Sequence, residues 1–401
     1  MSRDERLRGR DIVCVGFADW DTELWTNQHH LMSRLAADNR VLFIESLGLR
    51  RPQLAGKDIR RIVRRARRGL APPRRVQDNL HVLSPLVLPL HRFAAVRALN
   101  ARLLPAQVAR AARRVGLRRP ILWGYVPQAE ALLDALDPSL VVYHCVDDIA
   151  AQPGVDADSF RAAERRFALR ADLVLASAPT LAERLRSWGA NVIDAPNVAD
   201  TELFSTALDD GPVDPELEAL PHPRIVFCGA VVATKLDFEL LVELARLRRD
   251  WTIALVGPIG PGDPSTDVAP LRAEPNIHLL GRREHHDLPA VLRGADAGLI
   301  PYALNDLTRG IFPMKVYEYL AAGLPVVATP LPSLRDVPDV VTAADAGEMA
   351  AALQAVMDAD GPQARAGRSD AAAAHSWESR LAEIARAIAA VERAAEAPAE
   401  R

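Results

Sequence analysis

Cysteine is scarce: Cys14, Cys145 and Cys228 are the only three, each inside an apolar run and none at a metal-ligand spacing from another. That excludes a disulfide framework and a cysteine-built metal site, and fits buried thiols in a reducing cytoplasm. Long apolar runs are absent too, since none reaches the ~18–20 residues that span a bilayer. The start, MSRDERLRGRDIVCVGF, has no small-residue cleavage site and runs straight into Asp19 and Asp21, so it does not read as a secretory signal. A single glycine, Gly16, follows the first apolar run. The Gly-x-Gly-x-x-Gly of redox dinucleotide sites is missing there.

What is present suits a soluble chain with ample core. The 401 residues allow two or three domains, and 49% hydrophobic with 25% charged content is ordinary for globular proteins. Net charge is only −3, but residues 50–119 hold 19 of the 49 Lys and Arg and two acids, Asp58 and Asp78, for a local charge of +17. Such separation points to an anionic partner for one face. Within it, residues 57–70 place Ile59, Ile62, Val63, Ala66 and Leu70 on one helical stripe, with Arg60, Arg61, Arg64, Arg65, Arg67 and Arg68 around the rest. That pattern fits a helix lying on an anionic membrane surface, or a surface helix docked on the protein by its stripe. No aromatic interleaving accompanies the charge, so no nucleic-acid partner is expected.

Apolar runs and helical periods alternate along both halves, the signature of parallel sheets wrapped by helices. Strands are expected at 11–17, 41–45, 120–124, 140–145, 173–176 and 192–195, then at 224–229, 251–257, 278–281, 297–301 and 326–328. The second half is set off by residues 209–223, DDGPVDPELEALPHP, rich in proline and acid. The expected division is a first domain over 1–205, a linker over 206–223, a second domain over 224–372, and a final helix with tail over 373–401.

Two stretches carry chemistry. The strand at 140–145 ends in His144, Cys145, Val146, Asp147 and Asp148. Titratable groups at the carboxyl end of a parallel strand lie where open α/β sheets bind ligands. His144 can serve a sugar hydroxyl and Asp147 or Asp148 can act as a base. The stretch 313–329, PMKVYEYLAAGLPVVAT, predicts a helix opened by Pro313, closed at Gly323, and followed by a buried strand. Lys315 and Glu318 sit three residues apart in its first turns, a cation suited to phosphate and a carboxylate suited to ribose hydroxyls. Lys235, six residues after Gly229 at the end of the 224–229 strand, can reach back over the sheet edge.

Together these stretches resemble the GT-B glycosyltransferases, and within them the retaining nucleotide-sugar transferases of glycosyltransferase family 4. The likeness rests on CGAVVATKLDFELLVEL, WTIALVGP, NIHLLGRREHHDLPAVLRGADAGLIPY and PMKVYEYLAAGLPVVAT, with weaker echoes in APNVADTELF and HSWESRLAEI. FADWDTELW, YHCVDD and PMKVYEYLAAG look most like the teichuronic-acid-type branch. The resemblance implies two facing, doubly wound Rossmann-like domains, with a C-terminal helix crossing back to the first. It implies acceptor binding by the first domain and nucleotide-sugar binding by the second, the donor being of UDP or GDP type. Carried over by position, Lys235 and Lys315 hold the diphosphate, Glu318 the ribose, and Arg282 or Arg283 the base. His144 faces the sugar, and Gly16 faces the diphosphate or acceptor.

Two positions depart from the family pattern. Gly310 stands where a sugar-contacting glutamate is frequent, eight residues before Glu318, and Ala230 where an arginine is frequent after Gly229. Asn305, Thr308 and Arg309 are the nearby polar residues available to substitute. The expected activity is a metal-independent, cofactor-free hexosyl transfer to a hydroxyl of a glycan, lipid-linked or small acceptor, retaining rather than inverting. Cationic groups would stabilise the leaving diphosphate. A nucleotide-sugar epimerase on the same fold is the enzymatic alternative, and a non-catalytic nucleotide-sugar-binding or membrane-scaffold protein the alternative from another class. The expected location is cytoplasmic, with peripheral attachment at the inner membrane face if the basic stretch binds lipid.

Overall fold

The computed structural model describes residues 6–22, 25–46, 71–86, 94–261, 263 and 265–396. The expected membrane-facing residues Arg60, Arg61, Arg64, Arg65, Arg67 and Arg68 lie outside them. No helix among the described residues is long and apolar enough to cross a membrane. Two compact units form: Met1–Pro196 with Arg380–Arg401, and Asn197–Ser379.

The first unit is built on an eight-stranded sheet of β1 (Asp11–Val15), β2 (Arg40–Ile44), β3 (Arg74–Gln77), β4 (Leu80–Leu83), β5 (Ile121–Gly124), β6 (Leu140–Cys145), β7 (Leu173–Ala176) and β8 (Val192–Asp194). Their order is β3-β4-β2-β1-β5-β6-β7-β8, parallel except for β3 against β4. Continuous apolar runs make these strands because helices cover both faces, and Ile12, Val13, Cys14 and Val15 are wholly buried. The β3–β4 pair lies in the basic stretch, where the sequence reading expected no strand. β3 reads RRVQ because it is an edge strand, and its arginines face solvent where they discourage pairing with other chains.

The second unit holds six parallel strands: β9 (Arg224–Cys228), β10 (Thr252–Val256), β11 (Ile277–Gly281), β12 (Ala297–Ile300), β13 (Val326–Ala328) and β14 (Val340–Thr342), in the order β11-β10-β9-β12-β13-β14. In both sheets the chain builds outward on one side of the first strand and then returns to its other side. The crevice at that reversal is where open sheets bind ligands, between β1 and β5 in one unit and β9 and β12 in the other. The last helix, Trp377–Glu396, leaves the second unit and from Arg380 belongs to the first, where the Glu392 carboxylate binds the Arg10 guanidinium next to β1.

The expected linker needs correction. The units divide at Pro196 and Asn197, not at 205, and residues 206–223 pack inside the second unit. Asp214 there is buried; its Oδ1 accepts from the N–H groups of Glu216 and Leu217, both at 3.1 Å. Its carboxylate meets the Arg283 guanidinium at 2.6 Å, and Leu217 is wholly buried. Prolines and acids look like a linker in composition, but a partner 69 residues away turns an acid into an anchor.

Hydrogen bonding to Arg283 holds the Asp214 carboxyl below its ordinary value. A depressed carboxyl contributes stability above its unfolded value, and that contribution is lost as pH falls through the folded one. Arg283→Met should therefore destabilise the protein by about 2–4 kcal/mol at pH 7, and by less near pH 4. Urea unfolding at the two pH values checks both the size and the trend.

Candidate functional site

The second unit's site begins with two glycines. A Cβ on Gly257, just after β10, would lie 1.9 Å from the carbonyl oxygen of Gly229, just after β9. A Cβ on Gly229 would lie 2.4 Å from Cε of Lys315. Neither place admits a side chain, so two strand ends close up and the lysine lies across bare backbone. Lys315 opens the seven-residue helix Lys315–Ala321. Gly323, at φ +77°, ends that helix as expected, with Leu324 N–H donating back to Tyr319 O at 2.9 Å.

Two contacts fix this helix against the sheet. Gly298 in β12 leaves room for the Tyr319 ring, since a Cβ there would lie 2.4 Å from it. The Tyr319 phenol oxygen then accepts the N–H of Cys228, the last residue of β9, at 2.7 Å. Lys315 Nζ hangs 5.4 Å above the Phe227 ring. Burial opposes its charge, but Tyr302, Glu318 and Cys228 reverse that and raise its pKa.

Lys235 arrives from the next loop. The 230–237 and 301–308 loops are laced together by Ala303 N–H to Lys235 O at 2.9 Å, Asp237 N–H to Pro301 O at 2.9 Å, and Asn305 Nδ2 to Thr234 O at 3.1 Å. The backbone of Lys235 thus abuts the residue after Tyr302, the hydrogen-bond partner of Lys315. Among the described residues neither lysine ammonium meets a carboxylate within 4.0 Å. Glu318 is buried, and its carboxylate accepts no hydrogen bond among the described residues. Burial raises its pKa against the opposing pull of Lys315 and His285.

The other expected donor residues divide. Asn305 and Thr308 cap a short helix reciprocally, at 3.0 and 3.1 Å, and the Thr308 hydroxyl also binds Ala303 O. Their polar atoms serve the loop. Arg309 is exposed. Arg282 pairs with Glu284 at 3.0 Å, and Arg283 is committed to Asp214, Glu216 and Leu280 O. His285 was not singled out in the sequence, yet it lies edge-on to Phe204 at 5.4 Å and acts electrostatically on Glu318. The adjacent histidines in REHHDL, just past a strand end, were its available signal.

In the first unit, His144 at the end of β6 is 1% exposed, and neither ring nitrogen has a hydrogen-bond partner. It stacks on Tyr125 at 4.8 Å. Burial, with the Arg380 cation, lowers its pKa to about 3, so the imidazole is neutral and offers one donor and one acceptor. Asp148 receives Arg161 Nη2 at 2.6 Å and Arg184 Nη1 at 3.0 Å. Glu164, 1% exposed, joins the same two guanidiniums and takes the Tyr143 hydroxyl at 2.7 Å. That ion-pair cluster anchors the loop after β6, while Asp147 stays half-buried beside it. Gly16 ends β1 where a Cβ would lie 2.5 Å from Phe43 and 2.7 Å from Gln28 Oε1.

With this geometry the chain can be set beside known proteins. Residues 222–359 match the family described as "Glycosyl transferases group 1". The chain is 31% identical over 227 residues to the Bacillus subtilis (strain 168) protein named "Putative teichuronic acid biosynthesis glycosyltransferase TuaH", covering 54% of this chain and 56% of that one. The match thus spans little more than half of that relative. Among solved structures, Anabaena HepE in complex with UDP superposes with TM-score 0.64 at 15% identity, over 95% of this chain and all of that one. Sucrose-phosphate synthase from Thermosynechococcus elongatus gives 0.65 at 15% identity, over 96% of this chain and all of that one. The trehalose 6-phosphate synthase of Burkholderia multivorans gives 0.66 at 13%, with the same coverage. The fold is GT-B.

Glu318→Gln tests the buried carboxylate. A carboxyl whose pKa is raised on folding contributes stability below its unfolded value, and loses it as pH rises through the folded one. The variant mimics the protonated form, so its melting temperature relative to the parent should climb from pH 5 to pH 8. A variant less stable by the same amount at every pH would contradict this.

Proposed function

We propose that the chain transfers a sugar from a nucleoside-diphosphate sugar to a hydroxyl of a cell-envelope glycan or its lipid-linked precursor. The observation that carries this reading is Lys315, matched by no carboxylate within 4.0 Å among the described residues, lying across the bare backbone of Gly229 beside Gly257 at the ends of β9 and β10. An ammonium group beside backbone that admits no side chain suits a diphosphate, and Lys235 is carried by the loop laced to the residue after Tyr302. Glu318, one turn beyond Lys315 and with no hydrogen bond to its carboxylate among the described residues, suits a pair of ribose hydroxyls. With Arg283 committed to Asp214, His285 is the better placed side chain beside the base.

In this mechanism the bond from anomeric carbon to diphosphate oxygen breaks as the acceptor hydroxyl oxygen bonds to that carbon on the same face, its proton passing to the departing diphosphate, where negative charge grows. Lys235 and Lys315 stabilise that charge where it develops. The Lys315–Ala321 helix has only two turns, so its dipole adds less than the lysines do. The transfer is metal-independent and retaining. His144, neutral and with neither ring nitrogen partnered among the described residues, has one donor and one acceptor to offer a sugar hydroxyl. Asp148 positions the loop after β6 through Arg161 and Arg184. The acceptor assignment draws on the teichuronic acid role in the relative's name. The basic stretch over 50–119 would bring the protein to an anionic membrane face.

A thermal-shift panel of nucleoside diphosphates and nucleotide-sugars tests the donor site. One diphosphate should raise the melting temperature, by an amount equivalent to about 2.7 kcal/mol at a hundred times its Kd. Lys315→Met should weaken that nucleotide at least tenfold and lower turnover. Full donor turnover in this variant would overturn the assignment.

A further inference from the structure

Near the carboxyl ends of β1 and β2 lies a cluster of rings that the donor chemistry does not use. Trp25 is 41% exposed, the only aromatic among the large apolar side chains left exposed in the described residues. It is nevertheless held in place. His29 stacks on it at 5.8 Å and 22°, Trp20 meets it edge-on at 5.5 Å, and His30 edge-on at 5.4 Å. His29 is itself fixed: its Nδ1 accepts Thr26 N–H at 3.1 Å, so its Nε2–H donates to Asp19 O at 3.1 Å. Burial lowers the His29 pKa and keeps that backing ring neutral. The backbone of Trp20 is tied to the sheet, its main-chain N–H donating to Glu45 Oε1 at 2.9 Å. Arg74 lies 2.7 Å from Asp21 and 3.8 Å from Glu45, and Ser84 binds Glu45 as well.

An exposed indole normally gains nothing from being clamped, and ordering it costs entropy. Clamping is useful when the open face must meet a flat, weakly apolar surface. The C–H face of a pyranose is such a surface, and its hydroxyls at the ring edge would meet the exposed charged rim of Arg74 and Asp21. The same rim disfavours insertion of Trp25 into lipid or a protein core. We propose that Trp25, backed by His29 and braced by Trp20 and His30, is a stacking platform for a pyranose ring of the acceptor. This deepens the glycosyltransferase reading and rests on it.

The test uses saturation-transfer NMR on the full chain with methyl glycosides of glucose, galactose, N-acetylglucosamine and glucuronic acid. At least one should receive saturation chiefly on the ring protons of one face. Trp25→Ala should weaken that glycoside about tenfold, while Trp25→Phe retains most of the binding. Stabilisation by UDP or GDP, measured on the same three proteins, should be equal. No transfer to any glycoside, or equal transfer in Trp25→Ala, overturns the platform. So does a Trp25-dependent blue shift of indole emission on anionic phosphatidylglycerol vesicles without glycoside binding. If the nucleotides stabilise all three proteins and the glycosides are indifferent to Trp25, the platform alone fails. If no nucleotide stabilises any of them, it is the donor reading that fails.

Discussion

The contact on which the second unit's site depends is the approach of two backbones. The Gly257 position leaves no room for a Cβ against the Gly229 carbonyl, and the Gly229 position leaves none against Lys315. Adding one methyl group at either point would part β9 from β10 or push the lysine off the sheet edge. Everything else follows from keeping that corner empty of side chains. Tyr319 reaches under Gly298 to grip Cys228, the laced loops bring Lys235 in, and Gly323 ends the helix where the next strand must start.

Burial opposes the charge of Lys315 at this corner, and Tyr302, Glu318 and Cys228 more than offset it. Lys315 and Glu318 are both drawn out of water, yet no ion pair within 4.0 Å joins them. A protein selected for stability alone would pair them or replace them. In the first unit, Asp148, Glu164, Arg161 and Arg184 satisfy one another fully and act as structure. The closed ion cluster of the first unit thus contrasts with Lys315, whose ammonium meets no carboxylate within 4.0 Å among the described residues.

Much of this was legible in the sequence. Continuous apolar runs disclosed the parallel strands, and PMKVYEYLAAG disclosed its helix and cap. Of the 49 Lys and Arg residues only Lys57, Lys235 and Lys315 are lysines, so a point charge stands at the two candidate phosphate positions in a chain that otherwise uses the forked arginine. Other features were hidden because they depend on distant partners. Residues 206–223 looked like a linker until Arg283 supplied a counter-ion for Asp214. Arg283 and Asp148 looked available until their ion pairs were seen. The β3 strand was masked by edge arginines, and the exposure of Trp25 is a property of packing that periodicity does not carry.

The most direct measurement is a crystal structure with UDP or GDP bound. The account predicts the diphosphate at the ends of β9 and β10, with Nζ of both Lys235 and Lys315 within about 3 Å of its oxygens and the Glu318 carboxylate on the ribose. A nucleotide bound elsewhere, or a diphosphate held by arginines with both lysines turned away, would contradict it.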